Sequence, residues 1–271
     1  MKRVGLALSS GAARGIAHIG VLAVLEREGI PVDFIAGTSM GALIGAFYAA
    51  GRTAKEIEEV IVGVNRKKMR SFFDFTLSGQ GIIRGERVIE WLRYSIDNAE
   101  FSDLRIPFAC VAADIHSGEK VVIEDGSVAE GVRASVSIPV LYMPFSWRGR
   151  HLVDGGLVDP VPVDVVRDMG ADFVIASTVT PDKGKQMSRL SIAGVMPEKP
   201  PGIFRMWRLL RKVRRGEVTA TGAARADIVI APDVRGMRLR PGDRRRVAEL
   251  VSAGEHAAIK AIPEIRRELG I

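Results

Sequence analysis

The sequence predicts an α/β fold with a largely parallel central sheet, on two observations. Apolar runs of strand length alternate with helical patterns along most of the chain, the trace that strand–helix–strand crossovers leave in a sequence. The chain is 271 residues long and 47% hydrophobic, enough for one large core, and no linker-like stretch divides it. The expectation is a single domain over 1–271, its core over about 4–180, with a C-terminal strand and helices within 203–270.

The elements follow in chain order. The apolar run 4–8 reads as a strand, and a helical pattern over 17–28 is closed by Gly29 and Pro31. Phe34, Ile35 and Ala36 make a second strand, followed by an apolar helix over 42–50 that Gly51 ends. Thr53 and Glu56 have the spacing of a capping box and open a helix to about residue 64. Runs 107–113 and 120–123, separated by Ser117-Gly118, pair as a hairpin. A helix over 128–137, a short strand over 151–153, a helix over 163–169 and a strand over 173–179 come next. The Pro- and Gly-rich stretch 181–202 reads as a loop, 228–230 as a strand and 243–269 as closing helices.

Composition narrows the function classes. The one cysteine, Cys110, lies inside an apolar run, so it reads as a core residue; it excludes an intramolecular disulfide and suits a reducing cytoplasm. The N-terminal apolar run is too short for a secretory signal, and no stretch of roughly 18 uncharged apolar residues reads as a membrane span. A cytoplasmic protein is expected. The net charge is +7, and residues 201–250 hold 13 Lys/Arg against 5 Asp/Glu, which accounts for the whole excess.

Gly37-Thr38-Ser39-Met40-Gly41 stands where the second strand gives way to a helix. A serine between two glycines at such a turn is a nucleophile elbow, with its hydroxyl held out at the head of the helix. A Ser-His-Asp hydrolase with this elbow expects a histidine late in the chain. The four histidines do not fit: His18 precedes the serine, His116 lies in the hairpin turn, His151 enters a strand, and His256 sits in an ordinary amphipathic helix. The base for Ser39 is therefore expected not to be histidine.

Two further segments complete the pattern. Ser9-Ser10-Gly11-Ala12-Ala13-Arg14-Gly15 is a run of small residues leading from a strand into a helix, able to aim backbone N–H groups at an oxyanion. A phosphate-binding loop is the rival reading, but no Gly-Lys-Ser/Thr follows and the G-x-G-x-x-G spacing fails. An ordinary strand–helix turn also remains open. Val153-Asp154-Gly155-Gly156 places a carboxylate at a tight turn after a short strand, a pattern that is structural in most proteins.

Together, and in this order, the three motifs resemble the patatin-like phospholipase family of bacterial lipid acyl hydrolases. Ala17–Leu22, Ala113-Asp114 with Ser117-Gly118-Glu119, Arg133-Ala134-Ser135 through Ile138-Pro139, and Ala226–Pro232 extend the likeness over about residues 4–260. The resemblance implies a three-layer α/β/α fold and a Ser39–Asp154 dyad. Ser39 is the nucleophile and Asp154 the base, with backbone N–H groups around Gly11 and Ala12 as the oxyanion hole. Ser10, Ala13, Arg14, Gly15, Gly37, Gly41, Gly155 and Gly156 are the supporting motif residues. It implies no cofactor and no metal, and a lipid or acyl ester as substrate. Where the family's usual pattern has three glycines, this chain has Ser10-Gly11-Ala12, so a positive φ at position 12 would strain the alanine. Arg14 has two readings, a partner for lipid phosphate or a pin holding the loop to the sheet edge.

Residues 203–215 read as an amphipathic helix, with Phe204, Trp207, Leu210 and Val213 on one side and five arginines and Lys212 around them. Peripheral attachment to an anionic membrane is expected there, with a packed surface helix as the alternative. Nucleic acid is not expected, and a homo-oligomer stays open. A catalytically weak lipid-binding regulator and an acyltransferase are the alternative functions to a serine lipid acyl hydrolase.

Overall fold

A computed structural model describes residues 2–72, 74, 83–179, 221–237 and 242–271. In chain order its elements are β1 (Val4–Leu8), α1 (Ala17–Arg27), β2 (Phe34–Thr38), α2 (Met40–Ala49), α3 (Ala54–Gly63), α4 (Arg66–Ser71), α5 (Glu86–Ser95) and β3 (Phe108–Asp114). They continue with β4 (Lys120–Ile123), α6 (Val128–Ser135), β5 (Phe145–Trp147), β6 (Arg150–Asp154), α7 (Val163–Asp168), β7 (Phe173–Ser177), α8 (Thr221–Ala224), β8 (Ile228–Ile230) and α9 (Arg244–Leu269). The eight strands form one sheet in the order β5-β6-β3-β2-β1-β7-β8, with β4 on β3 as well. β1, β2, β3, β7 and β8 are mutually parallel, whereas β4, β5 and β6 are antiparallel additions.

Side-chain size divides the two faces of the sheet. Leu6, Ile35, Cys110 and Ile175 point to the larger core, shared with α1, α2, α3, α6 and α9. Their neighbours Ala7, Ala36, Ala109 and Ala176 point to the other side, where α7 supplies Val163, Val165 and Val166. Period-2 alternation of large and small residues thus makes three layers with outer layers of unequal thickness. Thr53 and Glu56 form the expected capping box at α3: Glu56 N–H donates to the Thr53 hydroxyl and Thr53 N–H to the Glu56 carboxylate.

β1 lies between β2 and β7, so the chain winds away from it in both directions. In open α/β sheets a crevice forms at the carboxyl ends of strands at such a point. Loop 9–16 leaves β1 there and Ser39 leaves β2 there. The closing segment, expected as several helices, is one 26-residue helix with Pro263 inside it. The expected loop 181–202 and the basic helix 203–215 lie outside the described residues.

Candidate active site

Strand register explains how Ser39 and Asp154 meet across 115 residues of sequence. β2 runs parallel to β3 and ends with Thr38 opposite Val111. Since β4 takes the other edge of β3, β6 must join the edge that β2 vacates; it runs antiparallel and places Asp154 opposite Ala112. Two strands therefore approach head-on along one edge, their last residues facing adjacent positions of β3. A side chain on Gly155 would lie 2.2 Å from the Val111 carbonyl oxygen, so only glycine lets the chain turn away there.

At the head of α2, Ser39 adopts φ 55° and ψ −116°, a conformation open mainly to glycine. The strain sits on the serine itself; neither Gly37 nor Gly41 has a positive φ. They permit close approach instead: a Cβ on Gly41 would fall 2.2 Å from the Leu8 carbonyl oxygen, and one on Gly37 would strike the start of α2. The Ser39 backbone N–H donates to Ser135 Oγ at 2.8 Å, and Ser135 Oγ in turn donates to the Val111 carbonyl at 2.6 Å. The nucleophile candidate's own N–H is therefore engaged, so an oxyanion hole must find its donors elsewhere.

Ser39 Oγ donates to Asp154 Oδ2 at 2.6 Å, and Gly156 N–H donates to Asp154 Oδ1 at 2.8 Å. Burial pushes the Asp154 carboxyl up to about 6, while the two hydrogen bonds restrain that rise. Asp159, the neighbouring carboxylate, is turned away: its Oδ2 pairs with Lys120 Nζ at 3.1 Å. Burial raises its carboxyl as well, and Lys120 opposes the shift.

Loop 9–16 runs past this pair. Ser10 N–H donates to the Pro160 carbonyl at 2.8 Å, and Arg14 N–H to Gly11 O at 3.1 Å. Between them, the N–H groups of Gly11, Ala12 and Ala13 have no acceptor among the described residues, as expected for the open end of a helical turn. Ala12 has φ 47°, so the strain expected of an alanine at this position is present. Gly15 packs against Met40, and Gly156 lies against both Ser10 and Asp154. The Ser10 hydroxyl is buried without a partner among the described residues. Arg14 is partly buried, and its guanidinium has no acceptor among them, so the pin to the sheet edge is not seen.

Three histidines lie on the surface. His116 and His151 face one another edge to face at 5.3 Å, and His256 Nδ1 donates to the Ser252 carbonyl at 2.7 Å. His18 is buried, yet bonds to Ser9 and Ser177 rather than to Ser39 or Asp154. Among the described residues no group of three or more His, Cys, Asp or Glu is placed to hold a metal ion. No helix among them is long and apolar enough to cross a membrane.

The model of the family described as patatin-like phospholipase matches residues 6–167, a segment that includes both Ser39 and Asp154. The chain belongs to the patatin-like phospholipase family. An uncharacterised NTE family protein of Mycobacterium tuberculosis is 34% identical over 212 residues, covering 78% of this chain and 56% of its own length. Lysophospholipase NTE1 of Scheffersomyces stipitis is 35% identical over 184 residues, covering 65% of this chain and 12% of its own. The chain thus spans about half the mycobacterial relative and a small part of the yeast one. The crystal structure of VipD from Legionella pneumophila shares the fold, with a TM-score of 0.54 at 14% identity over 97% of this chain and 67% of that one.

Within this patatin-like site, sequence reasoning singles out neither Ser135 nor the bonds of His18. Ser135 lies in the stretch Arg133-Ala134-Ser135 that supports the family resemblance, and a small hydroxyl at the end of a helix is the only signal it offers. His18 falls on the buried side of an apolar helix, where a lone imidazole must find internal partners.

Proposed function

We propose that this patatin-like protein is a serine lipid acyl hydrolase working through a Ser39–Asp154 dyad and an acyl-enzyme. The observation that carries the reading is the 2.6 Å hydrogen bond from Ser39 Oγ to Asp154 Oδ2. Ser39 Oγ attacks the ester carbonyl carbon as its proton passes to Asp154, so no free alkoxide forms. The oxyanion is held by the N–H groups of Gly11, Ala12 and Ala13, whose lack of other acceptors among the described residues supports this role. As the tetrahedral species collapses, the C–O bond breaks and Asp154 gives its proton to the leaving alkoxide. Water then attacks the acyl carbon as Asp154 takes its proton; the C–Oγ bond breaks, Asp154 returns the proton to Ser39 Oγ, and the fatty acid is released. With its carboxyl near 6, Asp154 is roughly nine-tenths ionised at pH 7 yet a stronger base than a solvated carboxylate.

A lysophospholipid or phospholipid is the substrate class we favour, supported by the family and by the printed name of the yeast relative. The test pairs fluorophosphonate labelling with fatty-acid release from a panel of lysophospholipids, diacyl phospholipids and neutral glycerides. Wild type is expected to label at Ser39 and release acid, while Ser39→Ala and Asp154→Asn do neither. Labelling at another residue, or turnover by Ser39→Ala, overturns the dyad. A labelled protein that hydrolyses no lipid in the panel overturns the substrate class alone.

A further inference from the structure

His18 is the one fully buried imidazole, and the mechanism above makes no use of it. Its Nε2 lies 2.9 Å from the Ser9 carbonyl oxygen and its Nδ1 2.7 Å from Ser177 Oγ. A carbonyl only accepts, so Nε2 carries the proton; in a neutral ring Nδ1 then accepts from the Ser177 hydroxyl. Burial holds the ring near 4, well below the ordinary value, which keeps it neutral. One side chain on α1 thereby ties the end of β7 to the residue that begins the loop.

That residue is fixed on every side. Ser9 N–H donates to the Ser177 carbonyl at 3.0 Å, and Ser9 Oγ accepts from Val179 N–H at 3.1 Å while donating to Ser10 O at 2.9 Å. The Ser9 carbonyl also bears on the nucleophile helix, since a Cβ on Gly41 would come within 2.7 Å of it. The Ser9 carbonyl shares its peptide plane with Ser10 N–H, which donates to the Pro160 carbonyl, and the Ser9 hydroxyl holds the Ser10 carbonyl, whose plane includes Gly11 N–H. The loop thus enters the turn that carries the N–H groups of Gly11, Ala12 and Ala13, unbonded among the described residues, from a fixed start. Oxyanion donors act through direction, and a displacement of about 1 Å costs up to a hundredfold in rate.

We infer that His18 is a positioning residue, whose neutral imidazole orients the oxyanion loop by holding the Ser9 carbonyl. The inference rests on the Ser39–Asp154 reading and deepens it.

The test compares His18→Gln, whose amide nitrogen can replace Nε2, with His18→Asn, whose shorter amide cannot reach Ser9. Active sites are counted by the end-point of fluorophosphonate labelling, and kcat and KM for a short p-nitrophenyl ester are expressed per counted site. For His18→Asn, kcat is expected to fall about 10–100-fold with KM within about twofold, and labelling to reach full stoichiometry more slowly. His18→Gln is expected to recover most of the rate, and the acidic limb of kcat/KM is expected to stay near pH 6 in both. Unchanged kcat per counted site in His18→Asn overturns the inference, even if that variant melts lower. Loss of the acidic limb overturns it too, by making His18 the titrating base. If His18→Asn does not fold, Ser177→Ala decides: it removes the hydroxyl on Nδ1, and kcat should fall about 3–10-fold at constant KM. No change in Ser177→Ala overturns the inference. Turnover by Ser39→Ala is a separate result, which defeats the dyad whatever the His18 variants do.

Discussion

The backbone N–H of Ser39 donates to the hydroxyl of Ser135, 2.8 Å away, and that hydroxyl donates onward to the Val111 carbonyl. One fully buried side chain therefore links the strained head of α2 to the central strand it must face. Ser135→Ala would leave a buried N–H unpaired, a loss of about 1–3 kcal/mol, and free the elbow to relax. The expected outcome is a melting temperature lower by several degrees and a kcat reduced about tenfold at unchanged KM. Steady-state kinetics with thermal melts checks it, and a variant with wild-type kcat would remove Ser135 from the account.

Asp154 and His18 should pull stability in opposite directions over the same pH range. Asp154 stands near 6 in the fold against 3.8 ordinarily, so between pH 4 and 6 the unfolded chain sheds this proton first and stability falls as pH rises. His18 stands near 4 against 6.5, so the unfolded chain takes up this proton first and stability falls as pH drops through that range. Each effect is about 3 kcal/mol at full extent. Asp154→Asn removes the first and keeps the second. The variant is expected to be more stable than wild type by about 1–3 kcal/mol at pH 7.5, with the difference vanishing near pH 4. Urea midpoints at several pH values test this, and a difference that does not depend on pH would refute it.

Activity should carry the same signature. The acidic limb of kcat/KM reports the base in the free enzyme and is expected near pH 6, the value to which burial raises Asp154. A limb near 4 would mean that the carboxylate is solvated during turnover.

Strain at the elbow is separable from chemistry. Ser39→Gly and Ser39→Ala both lose the hydroxyl, but only glycine relaxes at φ 55° and ψ −116°. Ser39→Gly should be the more stable by about 1–2 kcal/mol, and equal denaturation midpoints would show that the backbone there is unstrained.

Ala12 offers a milder version of that comparison. At φ 47° an alanine is disfavoured by about 1 kcal/mol relative to glycine, so Ala12→Gly is expected to raise stability by up to that amount. A chemical-denaturation curve shifted to lower urea would contradict it.

Much of this site was legible in the sequence because its parts announce themselves locally. Ser39 lies between glycines at a strand–helix boundary, Asp154 precedes two glycines, and the small-residue run after β1 has no bulky alternative. The strain at position 12 was readable because alanine replaces a residue free to take positive φ. What stayed hidden depends on distant partners. Nothing in residues 150–154 shows that β6 runs against the direction of β2, since an antiparallel strand and a parallel one share the same apolar alternation. The steric role of Gly41 exists only once Leu8 is beside it. His18 likewise carries no mark of its bonds, because Ser177 is 159 residues away.

On the proposed dyad, the meeting of β2 and β6 on one edge of β3 would make catalysis a sensitive reporter of assembly. A slip of β6 by a single position would present Val153 in place of Asp154 and turn every side chain of that strand to the opposite face. A misregistered molecule would keep nearly all its secondary structure and have no partner for the serine. Specific activity should therefore rise during refolding only after far-ultraviolet ellipticity is complete, and chains halted before residue 154 should be chemically silent.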